Sequence, residues 1–307
     1  MMAGIQAYNG TFLADLSNLE ARIANVNNQI SSGFRVNQAS DDPAAVAPII
    51  SYQGEIDSIT QVQTNLSNQQ VEAQSADGAL QNAATLLDQL VSLGSTGASS
   101  TTTAASRTTL GQQVQDILQQ LVTIANTSVN GRYVFGGDAS NVQPYTYNWG
   151  TTGGVTANVT TPSNTATISD SNGNQIVPRL TAQQIFDVQT STGTPASGNI
   201  FQAAFDLGQA LLTNNQSGAT SAIDEVKAGV NQLNQASTSY GNIETWIQQA
   251  SSSATSKLND VTTALSAIRD SDVATDATQL TMDQTALQAS LQAHGNISNK
   301  SLFDYLG

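Results

Sequence analysis

IDEVKAGVNQLNQASTSYGNIETWIQQASSSATSKLNDVTTALSAI, residues Ile223–Ile268, decides the fold. Its apolar residues Ile223, Val226, Val230, Leu233, Tyr240, Ile247, Ala254, Leu258, Val261, Leu265 and Ile268 alternate at three- and four-residue steps, with Ser237, Glu244 and Ser251 in the polar slots of that frame. An apolar period of 3.5 residues sustained this long marks coiled-coil or long-bundle packing. As one helix the stretch would run about 70 Å. That length favours a rod over an ordinary compact bundle.

Working outward, the same period recurs. Ile59, Val62, Leu66, Ala73, Ala76, Leu80, Ala83, Leu87 and Leu90 keep register with only Gln69 intruding. After an expected break at Gly94–Ser100, Leu110, Val114, Ile117, Leu121 and Ile124 resume it. Near the start, Ile5, Phe12, Leu16, Leu19, Ile23, Val26 and Ile30 make a further stripe. Proline placement permits these helices. No proline lies between Ile49 and Gln143 or after Pro195, and an interior proline costs a helix about 3 kcal/mol. Arg132–Pro195 differs, with four prolines, two Gly-Gly pairs and Thr/Val alternation, which predicts short strands between turns. The expected fold is mainly α: a long antiparallel helical rod built from the N- and C-terminal halves, with a small inserted β-rich domain. Its predicted segments are an assembly helix (1–40), half of the rod (41–131), the insertion (132–197), the other half (198–272) and a second assembly helix (273–307).

Composition removes several function classes. The 307 residues carry nine Lys and Arg against 23 Asp and Glu, a net charge of −14. That balance opposes binding to a phosphate backbone or to anionic lipid, since both need clustered cations. Cysteine is absent and His294 is the single histidine, which excludes thiol chemistry and multi-histidine metal sites. Aromatics are only 5% of the chain, so Ala, Leu, Ile and Val must fill the core. The first charge is Asp15 and the first cation Arg22. Without a cationic start or a long apolar run, export by a cleaved secretory signal is not expected.

A corner is legible in Ile30-Ser-Ser-Gly-Phe-Arg-Val-Asn-Gln-Ala-Ser-Asp-Asp-Pro-Ala44. Gly33 suits the left-handed position that ends a helix. Asp42 can cap the next helix with Pro43 in its first position, and Arg35 can pair with Asp41 or Asp42. This stretch resembles the N-terminal signature of the flagellin superfamily, Ile-Ser-Ser-Gly-x-Arg-apolar-Asn followed by Ser-Asp-Asp-Pro. Leu121–Thr127 with Asn130–Gly137 resembles the end of the family's outgoing helices, and Met282–Ala293 closing on Ser301–Leu306 resembles its terminal helix. The likeness spans residues 5–137 and 201–306 and is silent on 138–200. Within the superfamily, Gly131-Arg-Tyr-Val-Phe-Gly-Gly137 and Ser301-Leu-Phe-Asp-Tyr-Leu306 point to the hook-associated branch. The start of the chain departs from that branch's short Met-Arg opening, and Phe34 replaces the usual Lys or Gln; neither change touches the apolar frame.

What the resemblance implies is a secreted structural subunit of the bacterial flagellum, delivered by type III export to the hook–filament junction. There it would bridge the first hook-associated protein and flagellin through its terminal coiled-coil helices. Implied partners are further copies in a junction layer, those two proteins and an export chaperone, with no nucleic acid, membrane or cofactor. The alternative within the family is flagellin, the bulk filament subunit.

Physics gives the termini a matching role. The stripe Ile5, Phe12, Leu16, Leu19, Ile23, Val26 and Ile30 cannot by itself offset the entropy of ordering its helix. The C-terminal candidates are Leu280, Met282, Leu287, Leu291, Ile297 and Leu302, with Leu280, Leu287 and Leu291 on one stripe and Met282, Ala286, Ala289, Ala293 and Ile297 on a neighbouring one. Both ends are therefore expected to order only when neighbouring subunits cover them. The remaining candidates read as structure. His294 sits in the helical frame of Leu287 and Leu291. Gly136-Gly137-Asp138 lacks the Lys-Ser/Thr of a phosphate loop. Capping accounts for Asp41–Asp42. An enzyme hidden in Asp138–Ile200 would need convergent titratable groups, and that segment holds no Lys, Glu or His. No catalytic, cofactor or metal residue is predicted.

Overall fold

The structure, a computed structural model, describes the backbone of residues 2–160 and 162–298, and side chains over 10–160 and 162–295. Three long helices dominate: α1 (Met2–Ser32), α2 (Pro43–Ala98) and, after α3 (Ala104–Ala125), a later helix of 54 residues, Gln216–Arg269. Between them lie short strands β1 (Ser128–Val129) to β6 (Gln175–Ile176), the single turn α4 (Ala182–Ile185) and α5 (Ile200–Leu212). The 54-residue helix is α6, and α7 (Val273–Ser298) follows it. The chain is mainly α, with long antiparallel helices and a small β region, as the spacing predicts. It divides into two compact units. One joins the residues up to Ser58 with those from Lys257 onward; the other is Ile59–Ser256.

Within Ile59–Ser256, α2 and α6 run antiparallel. Gln63 Nε2 donates to Thr255 Oγ1 at 3.2 Å, Ser237 Oγ donates to Asp77 Oδ1 at 2.9 Å, Leu87 lies against Gly229, and Gly94 abuts Ile223. Ile59, Leu66, Ala73, Ala76, Leu80, Ala83, Leu87 and Leu90 are buried, in the predicted frame. On α6 the polar slots need correcting. Ala236, Ile243 and Ala250 fill the core positions assigned to Ser237, Glu244 and Ser251, because a helix can satisfy a three–four step with the residue one place earlier. Glu244 is pushed to the rim, where partial burial and the Asp77 charge hold its carboxyl above the usual range.

The expected break at Gly94–Ser100 falls later, since α2 continues to Ala98. Gly94 and Gly97 are helical here because neighbouring side chains need their space. A Cβ on Gly94 would sit 2.7 Å from Ile223 Cγ1, and one on Gly97 would strike Leu211 Cδ2. The turn after Ala98 is fastened by Arg107, only 7% exposed. Its Nε donates to Gly97 O at 2.7 Å, Nη2 to Ser99 O at 2.8 Å and Nη1 to Asn214 Oδ1 at 2.6 Å. A cation that satisfies the carbonyls ending a helix also complements its dipole. Thr103 caps α3 by accepting the Ser106 N–H.

The insertion forms three antiparallel two-stranded ladders, each two or three residues long: β1 with β2 (Arg132–Tyr133), β3 (Tyr145–Tyr147) with β4 (Val155–Ala157), and β5 (Ile168–Ser169) with β6. Asn130 and Gly131 take φ of 51° and 76° to turn β1 into β2, the primed-turn pattern of a two-residue hairpin. These ladders are too short to bury a core of their own. Instead Val134, Phe135, Tyr145, Ile185 and Phe186 join the cluster formed by the helices. Phe135 meets Tyr240 of α6 edge-on at 6.2 Å, and Phe186 stacks on Phe201 of α5 at 5.8 Å. Gln69, the intruder in the α2 stripe, donates to Glu72 Oε2 at 2.7 Å, and that oxygen also receives Arg179 from the insertion, Nη2 at 2.6 Å.

Gly94→Val should therefore overpack the α2–α6 contact and destabilise the Ile59–Ser256 unit by about 1–3 kcal/mol. Gly78→Ala, at a helical position with open space around it, should stabilise by about 0.5–1 kcal/mol. Denaturant titration of both variants checks the opposite signs.

Candidate assembly surface and the paired corners

The unit built from both ends of the chain contains α1, α7 and two corners. α1 and α7 lie antiparallel, with the Phe12 ring stacked on His294 at 3.9 Å and 6°, and Arg22 Nη2 donating to Asp283 Oδ1 at 2.8 Å. The predicted N-terminal stripe is the face that α1 turns inward. Leu19 and Val26 are buried, and Phe12, Leu16, Ile23 and Ile30 are half-buried. Ile5, Ile297 and Leu302 lie outside the described side chains.

The C-terminal candidates divide differently from the predicted stripes. Leu280 and Leu287 are half-buried with His294, and the slot between the two leucines is taken by Asp283, 3% exposed. Met282 and Leu291 point outward, at 54% and 49% exposure. Leu291 leaves the stripe of Leu280 and Leu287 because helical steps from Leu287 to His294 pass through Ser290, which is half-buried. Leu13 of α1 is outward too, at 62%. The pair thus covers one face of each helix with the other and, among the described residues, leaves four large apolar side chains in solvent: Leu13, Met282, Leu291 and, at the start of α7, Val273. Asp283 carries no sequence signal, since a lone carboxylate beside a methionine reads as surface. It is held by Arg22 and by Gln279 Nε2 at 3.1 Å.

The first corner follows the predicted chemistry. Gly33 has φ 74° and donates its N–H to Gln29 O at 2.8 Å. Asp42 Oδ1 accepts the Ala45 N–H at 3.2 Å, with Pro43 opening α2. Of the two possible partners Arg35 takes Asp42, Nη1 to Oδ2 at 3.0 Å, and this hydrogen bond holds the Asp42 carboxyl below the usual range. Asp41 Oδ2 instead accepts the N–H groups of Asn37 and Gln38, each at 3.0 Å, and these backbone bonds lower its carboxyl as well. A groove of about 560 Å³ beside this corner is lined by polar side chains such as Asn25, Asn28, Gln29 and Asn37.

A second corner, between α6 and α7, clasps the first. Arg35 N–H donates to Arg269 O at 2.7 Å, Ser271 N–H to Gly33 O at 2.9 Å, and Arg35 Nη2 to Ile268 O at 2.6 Å. The Arg269 guanidinium lies over the Phe34 ring at 4.2 Å, a favourable cation–π placement. The departure at Phe34 thus has a use. Asp272 caps α7: its Oδ2 accepts the Thr275 hydroxyl and its Oδ1 the Ala274 N–H, and these bonds, the hydroxyl's first, hold its carboxyl low. Arg35 thereby ties three helix ends together, a role its spacing from Asp42 reveals only in part. Among the described residues, no group of three His, Asp or Glu could hold a metal ion, and no helix is long and apolar enough to cross a membrane.

Comparison with known proteins gives this arrangement a family. The bacterial flagellin N-terminal helical region matches residues 7–140, and the bacterial flagellin C-terminal helical region matches residues 222–306. The chain belongs to the bacterial flagellin family. It is 27% identical to flagellar hook-associated protein 3 of Salmonella typhimurium, over 95% of both chains. It is 29% identical to a flagellin of Clostridium tyrobutyricum over 33% of this chain. The chain spans about a quarter of the length of the flagellins it matches, 26% in that case. The crystal structure of flagellar hook-associated protein 3 from Legionella pneumophila shares the fold, with a TM-score of 0.60 and 14% identity over 72% of this chain and 98% of that one. The chain is thus a structural component of the bacterial flagellum.

Within the α1–α7 pair, Arg22→Ala strands the buried Asp283 carboxylate and should weaken the pairing by about 1–3 kcal/mol. Asp283→Leu in the same background should recover most of that loss, since a buried charge replaced by an apolar side chain is often neutral or stabilising. Denaturation midpoints of the two variants against the parent check the sequence of effects.

Proposed function

We propose that this chain is the adaptor at the hook–filament junction, contacting the first hook-associated protein on one side and flagellin on the other. The observation that carries this reading is the end-to-end match. A hook-associated protein 3 aligns over 95% of both chains, whereas a flagellin aligns over only a quarter of its length. The geometry supports it. α1 and α7 cover each other incompletely, and Leu13, Met282 and Leu291 remain as apolar knobs for neighbouring subunits. In this reading Phe12, Leu16, Leu19, Ile23, Val26, Leu280 and Leu287 hold the pair together, and the corner of Gly33, Arg35, Asp41, Asp42 and Pro43 fixes the turn from α1 into α2.

A subunit with non-identical upper and lower contacts makes a heterologous interface, which closes into a ring or continues as a helix. Copies of this chain associate side by side in a layer, and a chaperone covers the apolar knobs before export. The chain acts as structure and carries no catalysis. Deleting its gene is expected to leave hooks that release unpolymerised flagellin into the medium, with the labelled protein of the parent confined to a band at the hook–filament boundary in electron micrographs. Label spread along whole filaments, or capped hooks with no flagellin outside, would overturn the adaptor reading in favour of a filament subunit.

A further inference from the structure

An asparagine followed by glycine is chemically exposed, because no Cβ on the glycine keeps its amide nitrogen from the asparagine side chain. The pair occurs three times here, at residues 9–10, 130–131 and 172–173. The side chain of Asn9 lies outside the described ones. The other two pairs belong to the Ile59–Ser256 unit and look alike by simple measures. Both asparagines and both glycines are exposed, and a Cβ on either glycine would meet open space. Gly131 and Gly173 take φ of 76° and 87°.

Hydrogen bonds separate them. In the turn between β5 and β6, the Asn172 N–H donates to Asp170 Oδ1 at 2.8 Å and its Nδ2 to Ser253 Oγ of α6 at 3.2 Å. The Gly173 N–H is occupied as well, donating to Asp170 O at 3.2 Å. In the two-residue loop between β1 and β2, among the described residues, no hydrogen bond holds the Asn130 side chain or the Gly131 N–H. The hairpin is fastened only at its base, where the Tyr133 N–H donates to Ser140 O at 2.7 Å and the Val134 N–H to Thr127 O at 2.9 Å. A ladder this short opens locally at little cost. The Gly131 nitrogen is thus free to swing toward Asn130 Cγ, whereas Gly173 and Asn172 are each tied elsewhere.

We infer that Asn130 is a site of spontaneous deamidation, converting to aspartate and isoaspartate, and that the fold withholds the same reaction from Asn172. Hydroxide and water are the co-reactants. Hydroxide takes the Gly131 amide proton, the nitrogen attacks Asn130 Cγ, and the new C–N bond closes a succinimide ring. The bond from Cγ to Nδ2 breaks, and Nδ2 leaves as ammonia with a proton from water, which restores the hydroxide. Water then opens the ring. Cleavage at Cγ gives aspartate; cleavage at the backbone carbonyl carbon gives isoaspartate, whose main chain runs through Cβ. The sum consumes one water and releases one ammonia, with no change of oxidation state. Aspartate tolerates the left-handed φ of 51° found at this position. Isoaspartate lengthens the main chain by a carbon, so the two-residue loop no longer fits the pairing of Val129 with Arg132.

Peptide mapping by mass spectrometry after incubation of the full chain at mildly alkaline pH, native and in urea, tests it. In the native protein Asn130 is expected to react about tenfold faster than Asn172, because two or three hydrogen bonds must break before Asn172 can react. In urea, where those bonds are gone, the two rates should converge. Asp170→Ala removes the carboxylate that holds the Asn172 N–H. It should speed Asn172 several-fold and leave Asn130 unchanged. No reaction at Asn130 in the native protein, or Asn172 reacting as fast there, would overturn the inference. So would a difference that persists in urea, since sequence and not fold would then set it, or an Asp170→Ala chain in which Asn172 stays as slow.

Discussion

An apolar stripe on a long helix contributes only when another surface removes it from water. α2 and α6 meet that condition within Ile59–Ser256, where each covers the other and α3, α5 and the insertion close the remaining sides. At the chain ends the condition is only partly met. α1 has α7 and α7 has α1, and two helices cannot bury more than one face of each. The outward position of Leu13, Met282 and Leu291 follows from that arithmetic of faces. It is the physical reason for reading the ends as assembly surfaces.

The long helices were legible because their signal is repetitive. A frame running from Ile59 to Leu90, or from Ile223 to Leu265, survives single errors, so misassigning Ser237 in place of Ala236 did not change the helix. The same redundancy hides the small residues. Ala236 and Ala250 carry little hydrophobic weight in a sequence, yet they occupy core slots because α2 passes close. Gly94 and Gly97 look like breakers and are close-approach positions inside a helix, which only the facing side chains Ile223 and Leu211 disclose. The corner at Gly33–Pro43 was readable nearly atom by atom, since capping and turn chemistry is local. Its clasp on Ile268–Ser271 was not, because no local rule links positions more than two hundred residues apart.

The buried polar groups mark the other boundary of what a sequence conveys. Glu72 with Arg179 fastens the insertion to α2, Asp283 with Arg22 fastens the two chain ends to each other, and Arg107 ties the turn after α2 to Asn214; each bond joins positions more than a hundred residues apart. Arg107 and the Glu72–Arg179 pair are satisfied by groups already in place, whereas Asp283 Oδ2 is buried without a hydrogen-bond partner among the described residues. The flagellin-family segments fall where the helices are longest. The insertion, most of which lies between the two family-model matches, is held by aromatic packing against α5 and α6.

On this account the ends of the chain are completed by neighbours, whereas Ile59–Ser256 is complete by itself. Amide hydrogen exchange on the free, full-length protein in dilute solution tests this most directly. The account predicts strong protection along α2, α3, α5 and α6 between Ile59 and Ser256, with α1 and α7 exchanging far faster until the protein is assembled. Protection of α1 and α7 equal to that core in the dilute monomer would contradict it.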